Sequence, residues 1–130
     1  MSKDVVGFIG GGNMAEAIIA GMLAAGTRPD AILISEPVAE RRALLAERYP
    51  GIDPGSDNAA IAARCDCIVL AVKPQVLGDV CLALRDVVQR SRPLVISIAA
   101  GVRTAAIDRW LGGDLAIARF MPTQPALLGR

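Results

Sequence analysis

Hydrophobic and polar residues follow one another along the chain in blocks that predict strands and amphipathic helices in turn. Short apolar runs rich in Val and Ile are typical of strands buried on both faces of a parallel sheet. Between these runs, apolar residues recur at the spacing of one helix face. We predict strands over residues 5–9, 31–35, 67–72, 94–98 and 115–120, and helices over about 14–25, 39–49, 58–64, 77–88 and 105–111.

Residues that favour helix starts stand before several of these helices. Asn13 is expected to cap the first helix, Asp57 or Asn58 the third, and Thr104 the fifth. Residues 52–55 are predicted to form a weak short strand or a loop. Strands that alternate with helices predict an α/β fold with a doubly wound, mainly parallel sheet in a single domain. Right-handed crossovers then place the loops after the strands along one edge, where such folds bind ligands.

The turn between the first strand and the first helix contains three consecutive glycines. The spacing Gly10-x-Gly12-x-x-Ala15 fits the dinucleotide-binding fingerprint of the Rossmann fold. Glycine lets the backbone turn sharply and approach a ligand, and a helix that starts there directs unpaired N–H groups at an anion. By itself, the motif is equally compatible with an ordinary strand-to-helix turn.

The second strand ends at an acidic residue about twenty residues after the fingerprint, where an acid meets the adenosine ribose. Glu36 fits that role, and its carboxylate favours NAD over NADP because it would repel the extra phosphate. Arg41 and Arg42 leave two alternatives open: either one reaches over the adenosine pocket and tolerates NADP, or the pair is a solvated helix face. Lys73 is either a cation near the nicotinamide ribose or a phosphate, or a surface cation before a proline.

The composition of the chain excludes several classes of function. The 130 residues carry a formal net charge of +1, which gives no broad basic field for nucleic acid. The apolar runs are too short and too often interrupted to span a membrane, so we expect a cytoplasmic protein. The chain has no His, so no Ser/His/Asp arrangement exists, and Cys65, Cys67 and Cys81 are expected to be buried reduced thiols and not metal ligands. Hydride transfer needs neither, because the cofactor supplies the chemistry.

Four segments carry a family resemblance in their order and spacing. They are Phe8-Ile9-Gly10-Gly11-Gly12-Asn13-Met14, Ala71-Val72-Lys73-Pro74-Gln75, Ser97-Ile98-Ala99-Ala100-Gly101-Val102 and Met121-Pro122-x-x-Pro125-Ala126-Leu127. Together they resemble the pyrroline-5-carboxylate reductase family over nearly the whole chain. Jointly they distinguish the chain from other Rossmann dehydrogenases such as the 6-phosphogluconate type.

The resemblance implies the last step of proline biosynthesis. In that step NADPH or NADH passes a hydride to the C=N carbon of 1-pyrroline-5-carboxylate, a small-molecule substrate, to give L-proline. No catalytic side chain is assigned by the resemblance. It implies that the pyrophosphate is held by Gly10, Gly11, Gly12, Asn13 and Met14, the adenosine end by Ser35, Glu36 and Asn58, and the nicotinamide side by Ala71, Val72, Lys73, Pro74, Ala99, Ala100, Gly101, Met121 and Pro122.

Two departures from the family pattern qualify this expectation. Thr123-Gln124 stands where the family has Asn-Thr, which changes the hydrogen bonding beside the nicotinamide. The family's second, helical domain, which makes the dimer and most of the substrate pocket, does not follow residues 1–130, so we expect a fragment that is inactive alone and a homo-oligomer for the full-length protein. Two other readings stay open: a non-catalytic nucleotide-binding module, and a structural α/β domain with an empty glycine turn.

Overall fold

The computed structural model describes residues 4–120 of the chain. The described elements alternate between strand and helix, except that two helices stand between the second and third strands and a short 3-10 turn at Pro29–Ala31 precedes the second strand. The strands are β1 (Val6–Ile9), β2 (Ile32–Ser35), β3 (Cys67–Leu70), β4 (Leu94–Ser97) and β5 (Ile117–Arg119). The helices are α1 (Asn13–Ala24), α2 (Ala39–Arg48), α3 (Asn58–Ala62), α4 (Pro74–Ser91) and α5 (Thr104–Trp110).

The strands form one sheet in the order β2-β1-β3-β4-β5, and every described pair is parallel. The register aligns the carboxyl ends of the strands, because Ile9 lies opposite Ser35 on one side and Leu70 on the other. Leu70 in turn lies opposite Ser97. The predicted doubly wound, parallel α/β sheet is confirmed, and the loops after the strands share one edge.

Helices cover both faces of the sheet and create two apolar cores. On one face, Phe8 packs with residues of α1 and α2 such as Ile19 and Leu45, all with no exposed surface. On the other face, Ile9 packs in the cluster that α3, α4 and α5 complete with residues such as Leu77. Adjacent residues of β1 therefore belong to different cores, which explains why its sequence is apolar without alternation.

Two of the predicted helix caps are wrong by one residue. Gly12 is the N-cap of α1, and Asn13 is its first helical residue, with no side-chain cap. Arg103 is the N-cap of α5, and Thr104 likewise lies inside the helix. Between the two alternatives for α3, Asp57 is the cap: its Oδ1 accepts a hydrogen bond from the Ala60 N–H at 3.1 Å.

Residues 52–55 contribute a single bridge to the edge of the sheet and no full strand. The Gly55 N–H donates to the Ile34 carbonyl, and the Glu36 N–H donates to the Gly55 carbonyl, both at 2.8 Å. This bridge brings the start of α3 beside the end of β2. None of the helices in the described range is long and apolar enough to cross a membrane.

Candidate functional site

Gly10 turns the chain at the end of β1 in a conformation that only glycine adopts easily. Its φ is +104°, and a Cβ there would lie 2.7 Å from the Ala71 carbonyl oxygen. The Gly10 N–H donates to the Ser35 carbonyl at 2.8 Å, and the Ala71 N–H donates to the Ile9 carbonyl at 2.8 Å. These contacts hold the ends of β1, β2 and β3 together at the candidate site.

Gly12, by contrast, faces open space. It is the N-cap of α1 with φ −79° and ψ −166°, a conformation open to any residue, and a Cβ there would meet no atom within 4 Å. The first N–H groups of a helix have no partner within the helix. The N-terminus of α1, which we call its mouth, therefore has free N–H donors and room for an anion. The exposed side chain of Met14 lies beside it. Ala15 is 1% exposed, as the last small position of the fingerprint requires.

Glu36 lies directly against the glycine turn and is only 8% exposed. Its Oε1 accepts a hydrogen bond from the Gly11 N–H at 2.8 Å, and its Oε2 accepts one from the Val38 N–H at 3.0 Å. A carboxylate has further lone pairs, so the predicted contact with the adenosine ribose stays a prediction. The structure adds a second role, since this side chain holds the turn in place.

Arg41 and Arg42 both bind the loops, so the solvated-face alternative is wrong. The Arg41 Nε donates to the Gly11 carbonyl at 2.6 Å, and its side chain is 20% exposed. The Arg42 Nη1 donates to the carbonyls of Glu36 at 2.8 Å and Pro37 at 3.0 Å. Two guanidinium groups of α2 therefore stand at the glycine turn and at the end of β2.

Glu16, in the first turn of α1, forms ion pairs with two arginines of α2. Its carboxylate accepts hydrogen bonds from the Tyr49 hydroxyl at 2.8 Å and from Arg48 and Arg41 at 2.7 Å each. The hydrogen bonds from Tyr49 and Arg48 lead the effects that lower the pKa of Glu16 from 4.5 to about 2. The carboxylate is therefore ionised at neutral pH and ties α2 to the start of α1.

Ser35 and Asn58, predicted to lie at the adenosine end, are in contact. The Ser35 hydroxyl donates to the Asn58 Oδ1 at 2.5 Å, and Ser35 is 1% exposed. The bridge between residues 52–55 and β2 explains this contact, because it delivers the first residue of α3 to the end of β2. Two segments 23 residues apart thus meet where the sequence predicts one binding surface.

The loops after β3 and β4 contain residues that the sequence predicts for the nicotinamide side. Lys73 is the N-cap of α4 and is exposed, and Pro74 opens that helix. Ala99 is buried, and its N–H donates to the Ser97 Oγ at 3.2 Å. The remaining predicted residues of this side are Ala71, Val72, Ala100 and Gly101, which the structure describes, and Met121 and Pro122, which lie outside the described residues.

The three cysteines are unpaired, and Cys65 and Cys81 are buried. Burial raises the pKa of both thiols to about 11, which keeps them protonated and unreactive at neutral pH. Within residues 4–120 no three His, Cys, Asp or Glu side chains are grouped as metal ligands. These thiols lie apart from the glycine turn in sequence and contribute packing.

The parallel sheet, its glycine turn and the open mouth of α1 define a domain of the Rossmann type. Residues 5–101 match the family model described as "NADP oxidoreductase coenzyme F420-dependent", and the chain belongs to that family. The match covers β1 through the loop after β4, so it includes all of the described loops that form the candidate site.

Several relatives and solved structures share a narrower description. The chain is 42% identical over 128 residues to pyrroline-5-carboxylate reductase of Pseudomonas aeruginosa, covering 98% of this chain and 46% of that protein. For the same enzyme of Haemophilus influenzae the identity is 39%, with 99% and 46% covered. The chain thus spans about half the length of the curated relatives that it matches.

The solved structures agree with this similarity. A pyrroline-5-carboxylate reductase from Coxiella burnetii is 38% identical with a TM-score of 0.89, over 96% of this chain and 46% of that one. A Plasmodium falciparum pyrroline carboxylate reductase with NADP bound is 27% identical with a TM-score of 0.79, over 98% and 45%. The predicted family resemblance is therefore confirmed.

Proposed function

We propose that this chain is the nicotinamide-dinucleotide-binding part of a pyrroline-5-carboxylate reductase. The full-length enzyme passes a hydride from NADPH or NADH to the C=N carbon of 1-pyrroline-5-carboxylate and forms L-proline. The observation that carries the proposal is the open N-terminus of α1 at Gly12, set within loops that hold the family's motifs. The similarity to named reductases over nearly the whole chain supports the substrate.

In this proposal the dinucleotide lies in an extended position along the sheet edge. The N–H groups of Gly12, Asn13 and Met14 suit the pyrophosphate, because the N–H groups of Gly10 and Gly11 already bind Ser35 and Glu36. The glycine turn therefore has two parts in this proposal. Gly10 and Gly11 fix the conformation of the turn, and the N–H groups of Gly12, Asn13 and Met14 bind the pyrophosphate.

The adenosine end lies against Ser35, Glu36 and Asn58, and the nicotinamide end lies toward the loops after β3 and β4. Met121 and Pro122 are assigned to the nicotinamide end by the family resemblance alone. The nicotinamide supplies the hydride when the cofactor is bound. The residues of this chain bind and orient that cofactor, and Lys73 adds one positive charge at the start of α4. A homo-oligomer of the full-length protein and a cytoplasmic location remain predictions, and light scattering on the full-length protein tests the first.

A binding titration tests this proposal with a matched pair of variants. The chain is titrated with NADPH and with NADH while the fluorescence of the cofactor is followed. In Gly12→Val the side chain fills the open space at the mouth of α1, so we expect binding to weaken by at least about tenfold, the loss that follows when an anion loses charge-assisted N–H contacts. Gly21→Val is the control, because Gly21 is also in open space but lies within the helix.

The outcomes separate the alternatives. A wild-type chain that binds neither nucleotide would refute the proposal and leave the structural domain with an empty glycine turn. Nucleotide binding without proline formation by the full-length protein, measured with 1-pyrroline-5-carboxylate, would instead identify a non-catalytic nucleotide-binding module. Binding that Gly12→Val and Gly21→Val leave equally strong would place the nucleotide elsewhere.

A further inference from the structure

The peptide groups on both sides of Gly11 are held by side chains that follow β2. On one side, the Gly11 N–H donates to the Glu36 Oε1 at 2.8 Å. On the other, the Gly11 carbonyl accepts a hydrogen bond from the Arg41 Nε at 2.6 Å. Gly11 itself is buried, and a Cβ there would lie 2.9 Å from the Leu45 Cδ1. The turn is therefore packed against α2 as well as bonded to it.

The bond from Arg41 has a direct effect on the next N–H group. The Gly11 carbonyl and the Gly12 N–H belong to the same planar trans peptide, so they point in opposite directions. Fixing the carbonyl toward α2 therefore fixes the Gly12 N–H away from α2. With glycine on both sides of this peptide, few steric barriers oppose its rotation, so a side-chain anchor has much to restrain.

Arg41 is itself held in place by a second contact. Its Nη2 donates to the Glu16 Oε1 at 2.7 Å, in the first turn of α1. The planar guanidinium thus bridges a carbonyl before the helix and a carboxylate within it, a geometry that a flexible ammonium group does not reproduce. The same contact places a positive charge beside a carboxylate that would otherwise repel an anion at this helix end.

We propose that Arg41 is a positioning residue for the cofactor diphosphate: it holds the Gly11–Gly12 peptide so that the Gly12 N–H faces the ligand. The inference rests on the proposed function, since it assigns a residue to the binding of that cofactor. Arg41 acts through the backbone and through Glu16, and it does not need to touch the cofactor.

Arg48 provides a matched control for Arg41. Both donate to Glu16 at 2.7 Å, but only Arg41 also binds Gly11. We compare NADPH binding by the wild-type chain, Arg41→Met and Arg48→Met, with thermal unfolding to confirm that each chain is folded. Arg41→Met should raise the dissociation constant about tenfold and Arg48→Met less than about twofold, because only the first loses a charged hydrogen bond to the turn.

A ligand-free measurement examines the peptide directly. In ¹H–¹⁵N spectra of the unliganded chain, the Gly12 amide resonance should shift or broaden in Arg41→Met and stay unchanged in Arg48→Met. Arg41→Lys keeps the charge but loses the planar fork, so we expect binding weaker than wild type by about threefold. If Arg41→Met does not fold, Arg41→Lys supplies both measurements.

The results separate this inference from the function on which it rests. Wild-type binding of NADPH together with unchanged binding in folded Arg41→Met or Arg41→Lys would overturn the positioning role alone. Equal losses in Arg41→Met and Arg48→Met would also overturn it, because the effect would then belong to Glu16. A wild-type chain that binds no nucleotide would remove the proposed function and this inference together.

Discussion

A Cβ on Gly10 would lie 2.7 Å from the carbonyl oxygen of Ala71, so the turn after β1 and the loop after β3 approach as closely as backbones can. Gly10→Ala should therefore destabilise the fold by about 3 kcal/mol, since it adds a clash to a positive φ. Urea unfolding measures the difference. Gly21→Ala is the control, and we expect it to stabilise the chain by up to about 1 kcal/mol because it improves helix propensity in open space. A Gly10→Ala chain as stable as wild type would contradict the close approach.

Glu36 should influence both the shape of the turn and the choice of cofactor. Glu36→Ser removes acceptors from the N–H groups of Gly11 and Val38 and also removes the charge that disfavours the extra phosphate of NADP. We expect the dissociation constant of NADH to rise by about tenfold and that of NADPH to rise less, with both measured by fluorescence. A preference of the wild-type chain for NADPH would refute the argument from the carboxylate.

The hydrogen bonds of Glu16 with Arg41, Arg48 and Tyr49 should make the stability of the fold depend on pH in the acidic range. The pKa of Glu16 is lowered from 4.5 to about 2 in the folded chain, so its contribution is fully present above pH 4.5. That contribution is lost as the pH falls toward 2 and the carboxylate is protonated. Wild type should therefore exceed Glu16→Gln in melting temperature at pH 7, and the gap should close between about pH 4.5 and pH 2. A gap that persists at pH 2 would show that the charge is not its source.

The thiols should be slow to react in the native chain. Because burial raises the pKa of Cys65 and Cys81 to about 11, little thiolate exists near neutral pH. With a thiol reagent at pH 8, we expect both to react only as the chain unfolds, and all three cysteines to react at once in denaturant. Cys67 is half-buried, and burial raises the pKa of its thiol as well. Immediate reaction of Cys81 in the native chain would contradict its complete burial.

The parts of the fold that the sequence predicts correctly depend on local patterns. The apolar run of β1 and the helical spacing of α1 are each visible within a few residues, and the crossover rule then places Gly10, Ser35 and Ala71 at one edge. Helix caps depend on backbone geometry that the sequence does not specify. Asn13 and Gly12 both suit a helix start, and only backbone geometry decides which of them is the cap.

Local sequence patterns do not predict the contacts of Arg41. The side chain meets Gly11, 30 residues earlier, because α2 packs its Leu45 against the glycine turn and thereby fixes the direction of the helix face. In the sequence, an arginine that binds a distant loop cannot be distinguished from an arginine on an exposed helix face. The contacts of Glu36 with the turn are hidden for the same reason, because their partners are backbone N–H groups that have no sequence signature.

The position of β1 between β2 and β3 also sets an order for folding. Val6 pairs with Ile32 on one side and with Cys67 on the other. The entropy cost of closing these long loops therefore precedes the favourable free energy of strand pairing. During synthesis, one hydrogen-bonding edge of β1 therefore has no partner until β3 has left the ribosome. An apolar strand with a free edge is a site for association with other chains. A pause in translation between residues 36 and 66 would prolong the exposure of a strand that later lies inside the sheet.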